Sequence, residues 1–143
     1  MMDFEKLAEQ YLCSGSNVAV VGASLKKERT SFKIVDFLKR HGISVYPVNP
    51  AYTGKKIKGM PFYSSVRDLK EPVDIVDIVV SPMFQDRIVE DIESLGYRPI
   101  IWFQPGAENP ELEESLAEKG FKVVSDACIM VVTDLFCSAD DLP

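Results

Sequence analysis

The chain is poor in the groups from which most catalytic and metal centres are built. It has one histidine, one tryptophan and three cysteines in 143 residues. The histidine, His41, closes a helix just before Gly42, so a Ser-His or Cys-His nucleophile pair has little to draw on. Cys13, Cys128 and Cys137 form no CxxC pair and no zinc spacing. No apolar run exceeds the six residues from Ala127 to Val132, far short of a membrane span. Basic charge is also scarce: 16 Lys and Arg face 22 Asp and Glu, for a net of −6. An acidic surface disfavours general binding to nucleic acid or anionic membranes. Met1-Met2-Asp3-Phe4-Glu5 lacks the basic start and apolar core of a signal peptide, and no Asn-x-Ser/Thr acceptor occurs. These absences predict a cytoplasmic protein with mostly reduced thiols, Cys13 and Cys137 being bystanders in the terminal segments.

What is present reads as one globular domain over residues 1–143. Apolar residues make up 46% and charged residues 27%, the balance of a packed soluble fold. Phe4, Leu7, Ala8 and Tyr11 recur at helical spacing within the first 14 residues. Val18 to Val21 is a short apolar run bounded by turn residues, as expected of a buried strand. Ser31 is placed to cap a helix bearing Ile34, Val35 and Leu38. Helices then end at Gly42, Gly96 and Gly120, each followed by an apolar strand: Ile43–Val48, Pro99–Phe103 and Phe121–Val124. Ile75–Val80 is a further strand and Gln85–Leu95 a further helix. Asn109-Pro110-Glu111 marks a helix start by cap, first-turn proline and acid. Strands alternating with helices predict an α/β fold: a parallel sheet of five to six strands with helices on both faces. If Pro61-Phe62-Tyr63 adds an edge strand, the order is 3-2-1-4-5-6. Residues 138–143 read as an acidic tail.

Ligands of open parallel sheets bind beyond the carboxyl ends of the strands, where the strand order reverses. The residues that follow each strand are therefore the candidates. Gly22-Ala23-Ser24 is a small-residue turn through which backbone N–H groups and a hydroxyl can approach a phosphate, although the later glycines of GxGxxG are missing. Lys26, Lys27, Arg29 and Lys33 follow closely, and Lys55, Lys56 and Lys58 form a second cluster. Cations gathered beside one turn of an acidic protein point to an anion with more than one phosphate. Val48-Asn49-Pro50 stands where an NAD site has an acid for the ribose, which disfavours NAD but not a nucleotide with a phosphorylated ribose. Asp77 interrupts an apolar strand and is expected to be an anchor bonded to loop amides. Cys128 follows the last strand on the ligand edge, where a thiol ligand could exchange disulfides with it.

The runs Val18-Ala19-Val20-Val21-Gly22-Ala23-Ser24, Arg29-Thr30-Ser31, Val45-Tyr46-Pro47-Val48-Asn49-Pro50 and Gly59-Met60-Pro61-Phe62-Tyr63 resemble the stand-alone CoA-binding domain proteins. Val73-Asp74-Ile75-Val76-Asp77-Ile78 and Asp126-Ala127-Cys128 continue the match, which runs from Asn17 to Leu135. The family is similar to the CoA-binding domain of succinyl-CoA synthetase and of ADP-forming acyl-CoA synthetases. The resemblance implies a Rossmann-like domain that binds coenzyme A. It implies that Gly22, Ala23 and Ser24 meet the pyrophosphate, and that Arg29, Lys33 and Ser31 meet phosphates including the ribose 3′-phosphate. By the same resemblance Val48, Asn49 and Pro50 border the adenosine, and Val80, Ser81 and Pro82 line the path of adenine and pantetheine. Gln104, Pro105 and Gly106 then flank the pantetheine. Many members carry two Arg residues where this chain has Val80-Ser81, and an Arg where it has Ala127; its lysines, Lys26 and Lys56 among them, are the substitutes at hand.

The reading that results is a non-catalytic CoA or acyl-CoA binder, with a mixed disulfide at Cys128 as an added expectation. An NADP-dependent redox enzyme or sensor is one alternative. A regulatory subunit of an acyl-CoA ligase is another, and a homodimer or a ligase partner is the association to look for. Ligase chemistry itself is not inherited with the ligand, because fold and chemistry separate freely.

Overall fold

Five parallel strands make the sheet: β1 (Asn17–Val21), β2 (Ser44–Val48), β5 (Ile75–Ile78), β6 (Ile100–Phe103) and β7 (Val123–Val124). A hairpin of β3 (Lys56–Ile57) and β4 (Met60–Pro61) stands apart from it. The computed structural model describes residues 3–13 and 15–137, so the tail expected at 138–143 lies outside the described residues. Strand order is β2-β1-β5-β6-β7, with every neighbouring pair parallel. The direction of winding therefore reverses between β1 and β5, as the sequence predicts.

The expected sixth strand is reduced to one bridge, Val48 to Tyr63. Pro61 has no N–H to give a ladder, and residues 60–61 turn back instead to pair with 56–57. The strand expected at 75–80 stops at Ile78, and that expected from Phe121 begins only at Val123.

Helices α1 (Phe4–Tyr11), α2 (Thr30–Arg40) and α5 (Ile129–Phe136) pack on one face of the sheet. Helices α3 (Asp86–Glu93) and α4 (Pro110–Glu118) cover the other. Asp3 caps α1 by accepting from the Lys6 N–H. Asn109 caps α4 with Pro110 in its first turn, as expected. Ser31 is not the cap of α2: the cap position is Arg29, with no side-chain hydrogen bond, and Ser31 lies buried inside the first turn. Gly42 and Gly120 adopt the left-handed conformation after their helices, whereas Gly96 does not. Helix α5 carries no start signal in the sequence, since Cys128 at its cap makes no side-chain bond. Its cluster of Ile129, Val132 and Thr133 is held by burial against the sheet.

Two expectations about side chains are corrected. Cys13 and Cys137 are not bystanders but form a disulfide with Cα atoms 5.3 Å apart, joining the ends of α1 and α5 across 124 residues of sequence. The helical returns bring two ends close that sequence spacing keeps distant. Asp77 is not anchored: it is fully buried, and neither carboxylate oxygen has a hydrogen-bond partner. Its register neighbours are Val20 and Trp102, whose side chains belong to the α1–α2–α5 face. That apolar surrounding pushes its carboxyl well above the usual carboxylate range.

Candidate functional site at the carboxyl edge of the sheet

Beyond the carboxyl ends of β1, β2, β5 and β6 the turns enclose a cavity of about 540 Å³. Gly22, Ser24, Lys26, Arg29, Thr30, Ser31, Asn49 and Tyr52 line one side, and Val79 to Ser81 with Pro105 to Ala107 line the other. Gly22 is fixed as glycine by geometry. Its φ is +95°, and a Cβ there would lie 2.7 Å from Val80 Cγ2 and 2.8 Å from the Val79 carbonyl oxygen. The two central strands approach so closely at this point that only a bare backbone passes.

The phosphate-type turn is braced by side chains. Asn49 Nδ2 donates to the Ala23 carbonyl at 2.9 Å, and Asn49 Oδ1 accepts from the Ala51 N–H at 3.0 Å. The first bond ties the turn after β1 to the turn after β2, and the second caps the turn after β2 itself. Ser24 Oγ accepts from the Lys26 N–H at 3.0 Å and lies 3.4 Å from the Tyr52 hydroxyl. That hydrogen bond to Ser24 draws the Tyr52 hydroxyl below the usual phenol range, with Lys26 and Lys55 adding to the effect against burial.

Helix α2 begins at this cavity with no side-chain cap and no acid in its first turn. Its free N–H groups and the positive end of its dipole therefore face the space that Lys26 and Arg29 border. Glu28 is the one carboxylate in the lining. Together these groups suit a polyanion better than a monoanion.

A second cavity of about 370 Å³ adjoins the first, sharing Gly22, Asn49 and Val80 with it. Its lining is largely apolar: Val21, Val48, Pro50, Val66, Phe84 and Ile88, with Ser64, Ser65, Arg87 and Asp91. Sequence reasoning missed most of this cavity, because Ser64 to Val66 and Phe84 to Asp91 join it only through packing of α3 against the turn at Val66–Asp68.

The expected site residues divide into three groups. Gly22, Ser24, Lys26, Arg29, Ser31, Asn49, Val80, Ser81, Pro105 and Gly106 line the first cavity. Val48 and Pro50 line the second. Ala23, Lys33, Lys56, Pro82, Gln104 and Cys128 line neither. Ala23 is buried and offers its carbonyl to Asn49. Gln104 is buried as a tie to α5: its Oε1 accepts from the Ile129 N–H at 2.8 Å and its Nε2 donates to Cys128 Sγ at 3.3 Å. Lys33 and Lys56 are exposed.

Tyr52 and Gln85 are residues the sequence reading missed. Gln85 is fully buried, with Nε2 donating to the Val80 and Ala107 carbonyls at 2.7 Å each and Oε1 accepting from Asn109 Nδ2 at 3.1 Å. A glutamine directly before a helix rich in acids is an ordinary sequence feature. Its role exists only because three segments meet around it.

A doubly wound sheet with a glycine turn, an uncapped helix start and cations at the reversal of strand order defines a nucleotide-binding type of α/β domain. The comparisons with known proteins narrow that class. The model of the CoA binding domain family matches residues 16–134. The chain belongs to that family.

An uncharacterized Bacillus subtilis protein, YneT, is 31% identical over 123 residues, covering 86% of this chain and 89% of YneT. An ADP-forming acetate–CoA ligase from Archaeoglobus fulgidus is 33% identical over 132 residues, covering 85% of this chain but only 19% of the ligase. The solved structure of the Thermus thermophilus protein cell-free ID.343 superposes with a TM-score of 0.87 at 34% identity, over 94% of this chain and 99% of that one. The chain is thus similar in span to small proteins, and to one part of each ligase.

Proposed function

We propose that this chain binds coenzyme A at the carboxyl edge of its sheet and performs no reaction of its own. The observation that carries the reading is the pair of joined cavities: one cationic at the Gly22 turn and the start of α2, the other apolar. Coenzyme A has that division, with three phosphates around a ribose, a flat base on one side and a flexible amide arm on the other. The phosphates belong with Ser24, Lys26, Arg29 and the first N–H groups of α2, and the base with Val48, Asn49 and Pro50. The arm passes Ser81 and Pro105–Ala107 toward Gln104 and Cys128. Membership of the CoA binding domain family supports the same ligand. The ligases carry their matched segment within much longer chains, and the proposal leaves the ligase reaction with those chains.

The test is calorimetric titration of the purified chain with CoA and with NADPH at two salt concentrations. Saturable CoA binding that weakens with salt is expected, with each of Lys26→Ala and Arg29→Ala losing about tenfold in affinity, the loss of one charge-assisted contact. Binding of NADPH but not of CoA overturns the proposal in favour of a redox protein. Capture of neither overturns it in favour of a subunit that works through a ligase partner.

Cys128 is the free cysteine among the described residues and is half-buried. If bound ligand reaches it, its thiolate attacks the disulfide of oxidised CoA, forming Cys128–S–S–CoA and releasing one CoA thiolate. Intact mass after incubation with CoA disulfide tests this: an added CoA mass lost on reduction and absent in Cys128→Ser is expected. The same adduct in Cys128→Ser overturns it. A cytoplasmic setting belongs to this reading. The Cys13–Cys137 disulfide departs from the mostly reduced thiols expected of that setting.

A further inference from the structure

Phe84 is an exposed aromatic ring in an unusual position. It is 67% exposed, and the neighbouring Met83 is 82% exposed. Both sit on the short helical turn Pro82–Phe84 that links the end of β5 to α3. A large apolar side chain left in water forgoes the free energy of burial, and this one borders a cavity already walled by Val21, Val48, Val66 and Ile88.

The backbone beneath the ring is not loose. The next residue, Gln85, is fully buried and makes three hydrogen bonds, to Val80, Ala107 and Asn109. Its cost if unbonded would be high, so the turn is pinned to the β5 and β6 ends. The ring is therefore exposed on a fixed support, the arrangement that lowers the entropic cost of binding a flat partner.

The occupant follows from continuity. The apolar cavity adjoins the cationic one at Gly22, Asn49 and Val80, so a ligand whose anion is held at the Gly22 turn can extend into it. About 370 Å³ bounded by an aromatic ring and apolar side chains, with the amide of Asn49 and the hydroxyls of Ser64 and Ser65 already bonded within the protein, suits the flat face of a purine base rather than a further phosphate. Arg87 does not make this end anionic-selective, because it is paired with Asp91 at 3.4 Å.

We infer that Phe84 is the base-stacking residue of this chain: its ring closes over the purine of the bound nucleotide and sets selectivity for an adenine-bearing ligand. This rests on the CoA reading of the same site, and the test separates the two. Wild-type and Phe84→Ala proteins are titrated with CoA, with adenosine 3′,5′-bisphosphate and with 4′-phosphopantetheine. Phe84→Ala is expected to lose about tenfold in affinity for the first two and to keep its affinity for the third, the loss of one base–aromatic stack.

Phe84→Trp, which keeps a stacking surface, is expected to stay within about twofold of wild type. Because the side chain is exposed, the melting temperatures of the variants should match wild type. If the wild type binds CoA but Phe84→Ala leaves both adenine ligands unaffected, the inference is overturned while the CoA reading stands. If Phe84→Ala weakens the phosphopantetheine ligand instead, the inference is overturned and the arm, not the base, occupies the apolar cavity. If the wild type binds none of the three, the CoA reading fails and takes the inference with it.

Discussion

The two ends of the parallel sheet hold their loops in different ways. At the amino end the ties are strong and closed. Asp74 accepts from the Asn17 N–H at 2.9 Å, the Asp74 N–H donates to the Asn17 carbonyl, and the Cys13–Cys137 disulfide joins α1 to α5. At the carboxyl end three neutral amides, Asn49, Gln85 and Gln104, brace the turns from behind. They satisfy carbonyls and N–H groups within the protein, and leave the helix start, Lys26 and Arg29 open to the cavity. The strongest ties and the proposed binding site are thus placed at opposite ends. Helix α5 links them, with Cys128 at its start and Cys137 just past its end. Roughly 13 Å of helical rise separates the two cysteines, so the Cys128 thiol has no direct path of exchange with the disulfide.

The contrast can be broken by separating stability from binding. Cys13→Ser, or full reduction, is expected to have the largest effect on stability. A cross-link spanning 124 residues constrains the unfolded chain by about 4–5 kcal/mol. Denaturant unfolding with and without reductant measures it, and CoA affinity should change by less than about twofold. A comparable loss of affinity would show that the amino end positions the site after all.

Gly22→Ala comes next and should damage both properties. The left-handed φ and the 2.7 Å approach to Val80 together cost about 3 kcal/mol. CoA binding should fall below detection, because the turn must move away from the start of α2. Calorimetry together with thermal unfolding reads both outcomes.

The smallest effect is a pH dependence within the α1–α2–α5 face. Burial raises the Asp77 pKa well above 3.8, so the folded chain keeps a proton that the unfolded chain releases. The contribution of this group is fully present below that unfolded value and is lost as pH rises toward the folded pKa. The slope from this one proton is at most about 1.4 kcal/mol per pH unit. In Asp77→Asn that slope should vanish, while binding at the far edge is preserved. Denaturant midpoints at several pH values check it. An unchanged slope in the variant would mean that Asp77 finds a partner or a water in solution.

Much of the architecture was legible in the chain because it is written in local patterns. Apolar runs of strand length, the Asn109-Pro110 start and the left-handed glycines at 42 and 120 each report a short stretch of backbone; the last two were found where expected, and the strands at their expected places with trimmed ends. The reversal between β1 and β5 was expected as part of a 3-2-1-4-5-6 order, and it holds although the sixth strand of that order is reduced to one bridge. Failures occurred where local signals compete with packing. Ser31 has the chemistry of a cap but lies two residues past the cap position, and the start of α2 was left open. Helix α5 is an apolar segment with β-branched residues whose form is decided by the surface it covers. The glycine turn and the cations after it could be read directly, since binding by backbone and charge leaves a compositional trace. Phe84 and Gln85 left none, because each acquires its meaning only from segments far along the chain.

The sequence by itself determined the class of fold and pointed to the edge of the sheet where the cavities lie, with Lys26 and Arg29 in their lining. These depend on periodicity, glycine placement and lysine clustering, all of which act over a few residues. The tertiary structure decided the rest: the pairing of Cys13 with Cys137, the burial of Asp77 without a partner and the second, apolar cavity. Each of those is a contact between segments dozens of residues apart, and only the closed chain fixes such distances.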